Sequence, residues 1–183
     1  GLEASPQQIA ELNAQLGFDR PFLVQYADWL TGVFRGDWGQ SYFLDMPVLQ
    51  AIGEYFIPTL SLAVLAQVVA LVFALPMGML AAYKRGTAVD LATVSISLLG
   101  TAIPGFLLSM FFMLFFGVHL QWLPVAGYEP LSRGLWEHLR YLILPALSLG
   151  VVQAAYITRM TRSALLDVLY KNYIRTARAK GLR

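Results

Sequence analysis

Three runs without a single Asp, Glu, Lys, Arg or His, residues 59–83, 91–118 and 142–158, decide what this 183-residue chain can become. At about 1.5 Å of rise per residue, helices of this length match a hydrocarbon core of roughly 30 Å, with some tilt for the longer ones. Inside lipid every backbone N–H and C=O must find its partner within the protein, which a helix does on its own. Charged residues make up 13% of the chain, about half the usual 25% of soluble domains. The expected fold is all-α and polytopic, with three transmembrane helices at about 58–83, 91–118 and 142–160. They form a membrane domain 58–162, between an external helical segment 1–57 and a basic helix 163–183.

Charge orients these spans. The stretch from Arg159 holds Arg159, Arg162, Lys171, Arg175, Arg178, Lys180 and Arg183 against Asp167 alone. Residues 1–57 hold seven acids against two bases. Basic residues just past a membrane-length run mark the cytoplasmic side, so the spans read out-to-in, in-to-out and out-to-in. Lys84 and Arg85 fit that order, and Arg133 and Arg140 are the minor departures. An acidic outer part and a basic inner end argue against nucleic acid as a partner.

Several chemistries are excluded or weakened. The chain has no Cys, hence no disulfide and no thiolate. No Gly-x-x-x-x-Gly-Lys-Ser/Thr run occurs, so no P-loop binds ATP here. Spans free of ionisable groups lack the relay that a proton-coupled carrier needs. His119 and His138 stand alone in an external loop and read as surface residues, and no ligand set has metal spacing. The chain is not expected to be an enzyme.

Taken in order, Ser5-Pro6-Gln7-Gln8 opens a short helix with Ile9, Leu12 and Leu16 on one face and Gly17 at its end. A second helix follows Asp19 to about Val33, with Phe22, Tyr26, Trp29, Leu30 and Val33 as its apolar stripe. Arg35 to Ser41 reads as a turn. Asp45-Met46-Pro47 begins a helix through Phe56 along the outer interface, and Pro58 opens the first span. There Ala66, Ala70, Ala74, Gly78 and Ala82 recur every fourth residue, a stripe that admits a neighbouring backbone. Pro76 is a kink site. Asp90 can cap the second span, whose centre Gly100 to Phe106 contains Pro104, either a packing kink or a gate. Trp122 and Trp136 read as interface anchors. Inside the spans the polar residues include Gln67, Thr93, Ser95, Ser97, Thr101, Ser109, Ser148 and Gln153. Each can serve packing alone; Gln67, Ser95, Thr101 and Gln153, with Pro104, are the candidates for a polar path.

The basic end spaces Leu165, Leu166, Leu169, Tyr173 and Ala177 at three- and four-residue steps, an amphipathic helix. By residues alone it fits a lipid surface and a partner's cleft equally well. Tyr173 to Leu182, with Arg175-Thr176-Ala177 and Gly181, resembles the start of the cytoplasmic signature of ABC-transporter permeases, in its dipeptide/oligopeptide form. The Arg-Thr of this form departs from the general Glu-Ala-Ala opening, and the second half of the signature falls beyond Arg183. Two further stretches are similar to peptide permeases: Leu16 to Pro21 with Gln25-Tyr26, Trp29-Leu30, Gly36 to Gly39 and Ser41, and Trp122-Leu123-Pro124 followed by Gly127. Leu144 to Gly150 resembles the family again.

The resemblance implies a permease subunit of a bacterial peptide-type ABC importer in the inner membrane. Its partners would be a second homologous permease, two ATP-binding subunits carrying ATP and Mg, an external solute-binding protein and the lipid bilayer; the chain itself needs no cofactor. Leu166, Leu169, Tyr173, Arg175, Thr176, Ala177, Arg178, Lys180 and Gly181 would couple to the ATPase. Asp19, Arg20, Tyr26, Trp29, Asp37 and Trp38 would meet the binding protein, unless that segment is only an external cap. The chain opens Gly1-Leu2-Glu3, and in this family a transmembrane helix precedes the region, so a fragment cut at both ends is expected. The competing classes are an ion-coupled carrier or channel, and a membrane scaffold with a lipid-binding helix.

Overall fold

The computed structural model describes residues 5–15 and 17–181, with only the backbone of Pro6, Gln8, Ile9, Leu12, Gln15 and Arg178. The apolar face expected of Ile9, Leu12 and Leu16, the Arg178 side chain, Leu182 and Arg183 lie outside the described residues. The chain divides into two compact units, 1–57 and 58–183.

In the first unit, α1 (Pro6–Gln15) ends at Gly17, which takes φ +71. The Phe18 N–H donates to the Asn13 carbonyl at 2.8 Å and the Gly17 N–H to the Ala14 carbonyl at 3.2 Å. This is the closure that a left-handed glycine permits at a helix end. Pro21 precedes α2 (Phe22–Phe34), its φ of −56 already set for the first turn. Strands β1 (Gln40–Ser41) and β2 (Met46–Pro47) pair antiparallel, with Gly39 at φ +77 entering the hairpin.

The next element is α3, Val48–Tyr83, a single helix of 36 residues. The expectation of an interfacial helix ending near Phe56 and a separate span from Pro58 is therefore corrected. A proline within a helix removes one hydrogen bond, but Pro58 and Pro76 both sit inside α3 without ending it.

In the second unit, Lys84 to Thr87 turn the chain into α4 (Ala88–Ala102). The carboxylate of Asp90 lies in its first turn, while the N-cap position belongs to Thr87; Asp90 is not the cap. Ile103 then adopts φ −81, ψ 123, since the ring of a following proline drives the residue before it out of the helical region. Pro104 has no N–H to offer back, and a new helix begins, α5 (Gly105–Phe112), which widens into a π-helical stretch over Met113–His119. The two limbs, Ala88–Ala102 and Gly105–His119, meet at 96°. The expected span 91–118 is thus broken through its middle and not mildly kinked. After a loop and a 3₁₀ turn (Leu131–Arg133), α6 runs from Leu135 to Leu169. It closes with a tight bond from the Lys171 N–H to the Val168 carbonyl at 3.0 Å, and α7 (Asn172–Ala179) follows. The basic end is two helices and not the continuous one its periodicity predicts.

Small residues decide how the spans pack. A methyl group on Gly150 would lie 2.6 Å from Val69 Cγ1 and 2.9 Å from the Ala66 carbonyl oxygen. One on Gly78 would lie 2.8 Å from the Thr158 carbonyl oxygen. The backbones of α3 and α6 therefore nearly touch, and Ala70, Ala74 and Ala146 are fully buried. The stripe Ala66, Ala70, Ala74, Gly78, Ala82 faces inward along its whole length. Positions 66–69 lie by 150, and 78 by 158, so α6 runs parallel to residues 58–83. Gly100 approaches Ala155 and Asp90 meets Arg162, so α4 runs antiparallel to α6. Large apolar side chains such as Val64, Val72, Phe73, Leu99 and Phe111 point outward, more than half exposed or close to it. Water would penalise that surface; hydrocarbon does not. Among the described residues, two helices are long and apolar enough to cross a membrane, three if the bent pair counts as one.

Candidate functional site

A cavity of about 890 Å³ opens between α3, α6 and the break after α4. The helical period builds its walls: Ala63, Ala66 and Gln67 from α3, then Gln153, Tyr156, Ile157 and Met160 from α6. Both sets follow steps of three and four, so each is one face of one helix. Thr101 and Gly105 add the two lips of the break, and Ser148 the far end.

Of the predicted path residues, Gln67, Thr101 and Gln153 meet in this cavity. Pro104 adjoins it through Gly105, and Ser95 lies elsewhere on α4, exposed. The Gln153 Nε2 donates to Gln67 Oε1 at 2.9 Å, across 86 residues of sequence. The hydroxyls behave otherwise. Thr93, Ser97, Thr101, Ser109 and Ser148 each bond a carbonyl three or four residues back in their own helix, as Ser97 Oγ does to Thr93 O at 2.9 Å. They are satisfied locally, so the two amides are the polar groups that join separate spans. Tyr156 and Met160 were not among the predicted residues; their spacing of three and seven from Gln153 is the signal that finds them.

At the basic end, Leu166, Leu169 and Arg175 line a second hollow of about 910 Å³ with Ala82, Tyr83, Arg85 and Tyr170. The Arg85 guanidinium stands 5.0 Å over the Tyr170 ring. Tyr173, Arg175, Thr176 and Lys180 are exposed, and Ala177 is half-buried. The Thr176 hydroxyl donates to the Asn172 carbonyl at 3.0 Å. Gly181 takes φ +85 with open space around it.

Between cavity and basic end sits an ion pair the sequence reading missed. In the sequence Arg162 counts only as one of the bases that mark the cytoplasmic side. Its Nε donates instead to Asp90 Oδ1 at 2.6 Å, and its Nη2 to Asp90 Oδ2 at 2.8 Å. The Gly86 N–H adds a third bond to Asp90 Oδ2 at 3.0 Å. Asp90 precedes the charge-free run that begins at Leu91. The Arg162 fork and the Gly86 N–H give both carboxylate oxygens a donor.

His138 is likewise corrected. It is buried, 6% exposed, its Nδ1–H donating to the Glu129 carbonyl at 2.6 Å and its ring edge-on to Tyr128. His119 is exposed and stacks on Phe115. Among the described residues no three metal-ligating side chains gather.

In the first unit, the predicted docking residues divide. Arg20 pairs with Asp28 at 2.9 Å, a partner the sequence reading did not name. Asp37 Oδ1 accepts the Gly39 N–H at 3.0 Å and shapes the turn. Phe22, Tyr26 and Trp29 stack in a row on α2 with centroids 6.5 and 6.1 Å apart, all more than half exposed or close to it. Asp19 and Trp38 are exposed.

Packed small-residue helices, an apolar outer surface and a cavity with a few polar groups on an apolar wall beside a broken helix define an all-α polytopic membrane protein. The description "binding-protein-dependent transport system inner membrane component" matches residues 74–183. The chain is 42% identical over 98% of its length to a peptide transport system permease protein of Brucella suis. It is 38% identical over 99% to a peptide ABC transporter permease protein of Sinorhizobium fredii, and 39% identical over 100% to the glutathione transport system permease protein of Salmonella choleraesuis. It spans 57–58% of the length of these relatives. The chain belongs to the family of binding-protein-dependent transport system inner membrane components.

Proposed function

We propose that this chain is the membrane-spanning part of an ATP-driven importer permease that carries peptides or peptide-like solutes. The observation that carries this reading is the cavity that gathers Gln67, Thr101 and Gln153 beside the break at Pro104. A path for varied peptides needs a few weak polar groups on an apolar wall, able to meet backbone amides without selecting side chains. Two facing glutamines supply that chemistry, and the hydrogen bond between them is one a passing amide can replace. Relatives named for peptide and for glutathione transport support the solute class.

The basic end is the surface for an ATP-hydrolysing partner, with ATP and Mg held on that partner. Tyr173, Arg175 and Lys180 are free to contact it, and Gly181 bends the chain away. Residues 1–57 lie outside the inner membrane, where the row Phe22, Tyr26, Trp29 meets a solute-binding protein. A second, homologous permease completes the path on the open side of the cavity.

The test is uptake of a labelled peptide by the full-length permease reconstituted with its partner subunits. Uptake is expected only with ATP inside and binding protein outside. Uptake that persists without ATP but collapses with the ion gradient would make the chain an ion-coupled carrier instead.

A further inference from the structure

Asp90 and Arg162 belong neither to the cavity nor to the exposed basic surface, yet they hold the most constrained polar contact among the described residues. The two parallel bonds of 2.6 and 2.8 Å form a fork between groups 72 residues apart. Asp90 is 6% exposed. Planar fork geometry fixes direction as well as distance, and the carboxylate, buried while the Arg162 side chain is half-buried, would be left without its charge partner if Arg162 were lost. The Gly86 bond ties in the turn after α3, so three elements meet at one carboxylate.

The position of this contact matters. From Arg162, α6 runs unbroken to Leu169, and α7 with its basic residues begins three residues later. From Asp90, α4 runs unbroken to Ala102, next to the 96° bend. Helices shift as rigid bodies, and packed interfaces pass such shifts on as switches between discrete arrangements. Among the described residues this fork is the only ion pair between α4 and α6.

We propose that the Asp90–Arg162 fork is the joint through which movement of the basic end reaches the bend at Ile103–Pro104. Both are positioning residues: they touch no solute and set the angle of α4 against α6. The proposal rests on the transport reading above, and its test separates the two.

The full-length permease, assembled with its partners in proteoliposomes, is compared as wild type, Asp90→Asn, Arg162→Lys and the exchange D90R/R162D. The readout is solute taken up per ATP hydrolysed, which a purely structural pair would leave unchanged in whatever complex assembles. The single variants are expected to lower that ratio roughly tenfold, within the usual range of coupling between sites. The exchange variant is expected to recover a large part of it. If Asp90→Asn fails to assemble, Arg162→Lys decides alone, since it keeps the charge and loses the fork. A wild-type ratio in Arg162→Lys, or a loss in the single variants that the exchange does not repair, overturns the joint while leaving the transport reading intact. A wild-type complex that moves no solute on ATP overturns the transport reading, and the joint with it.

Discussion

Gly150 and Gly78 sit where no side chain fits, and that fact sets the distance between α3 and α6. Because the atoms a Gly150 side chain would strike include the Ala66 backbone oxygen at 2.9 Å, rotamer changes cannot relieve the clash. Gly150→Leu is expected to destabilise the folded protein by about 1–3 kcal/mol, the ordinary range for overpacking. Gly53, in the same long helix as Ala66, has nothing near its Cα hydrogens. Gly53→Ala is therefore expected to stabilise by up to about 1 kcal/mol through helix propensity. Thermal unfolding in detergent would show shifts of opposite sign; shifts of the same sign would contradict close packing at Gly150. The four-residue stripe was readable because small side chains at one period leave no other use for that face. Its partner helix was not, since nothing in Ala66 to Ala82 names residues 150–161.

At the scale of elements, the break at Ile103–Pro104 separates a helix that packs from one that turns away. Its existence could be read from Pro104, whose ring removes a donor and excludes the helical region for Ile103. Its angle could not, because Pro58 and Pro76 are equally prolines and leave α3 intact. Pro104→Ala is expected to lengthen the distance between spin labels at positions 91 and 118, as the two limbs align into one helix. An unchanged distance would mean that packing, not proline, makes the bend. The end of α6 shows the opposite failure. Leu165, Leu166, Leu169 and Tyr173 keep the spacing of one helix, yet one helix ends at Leu169 and another begins at Asn172. Periodicity reports which face is apolar and is silent on a break that preserves the face.

At the scale of the whole molecule, charge and hydropathy are the parts of the design written most openly. Among the described residues, the apolar runs 59–83 and 142–158 fall within the two helices long and apolar enough to cross a membrane, and the glutamines stand out because so few polar groups interrupt those runs. The least legible features were pairs. Asp90 reads as a cap and Arg162 as one of the bases that mark the cytoplasmic side, because each has a sufficient local explanation. Only the antiparallel course of α4 and α6 brings them together. His138 hid for the same reason: its partner Glu129 offers a backbone carbonyl, which carries no residue-specific signal. The charge pattern predicts that Trp38 and Lys180 are reached from opposite sides of one membrane. The chain contains no cysteine, so Trp38→Cys and Lys180→Cys, placed in a full-length protein free of other cysteines, give two unique reporters. In intact cells whose inner membrane face is sealed, a membrane-impermeant maleimide is expected to label Cys at 38 and to spare Cys at 180 until the membrane is opened. Equal labelling of both positions before opening would contradict the account.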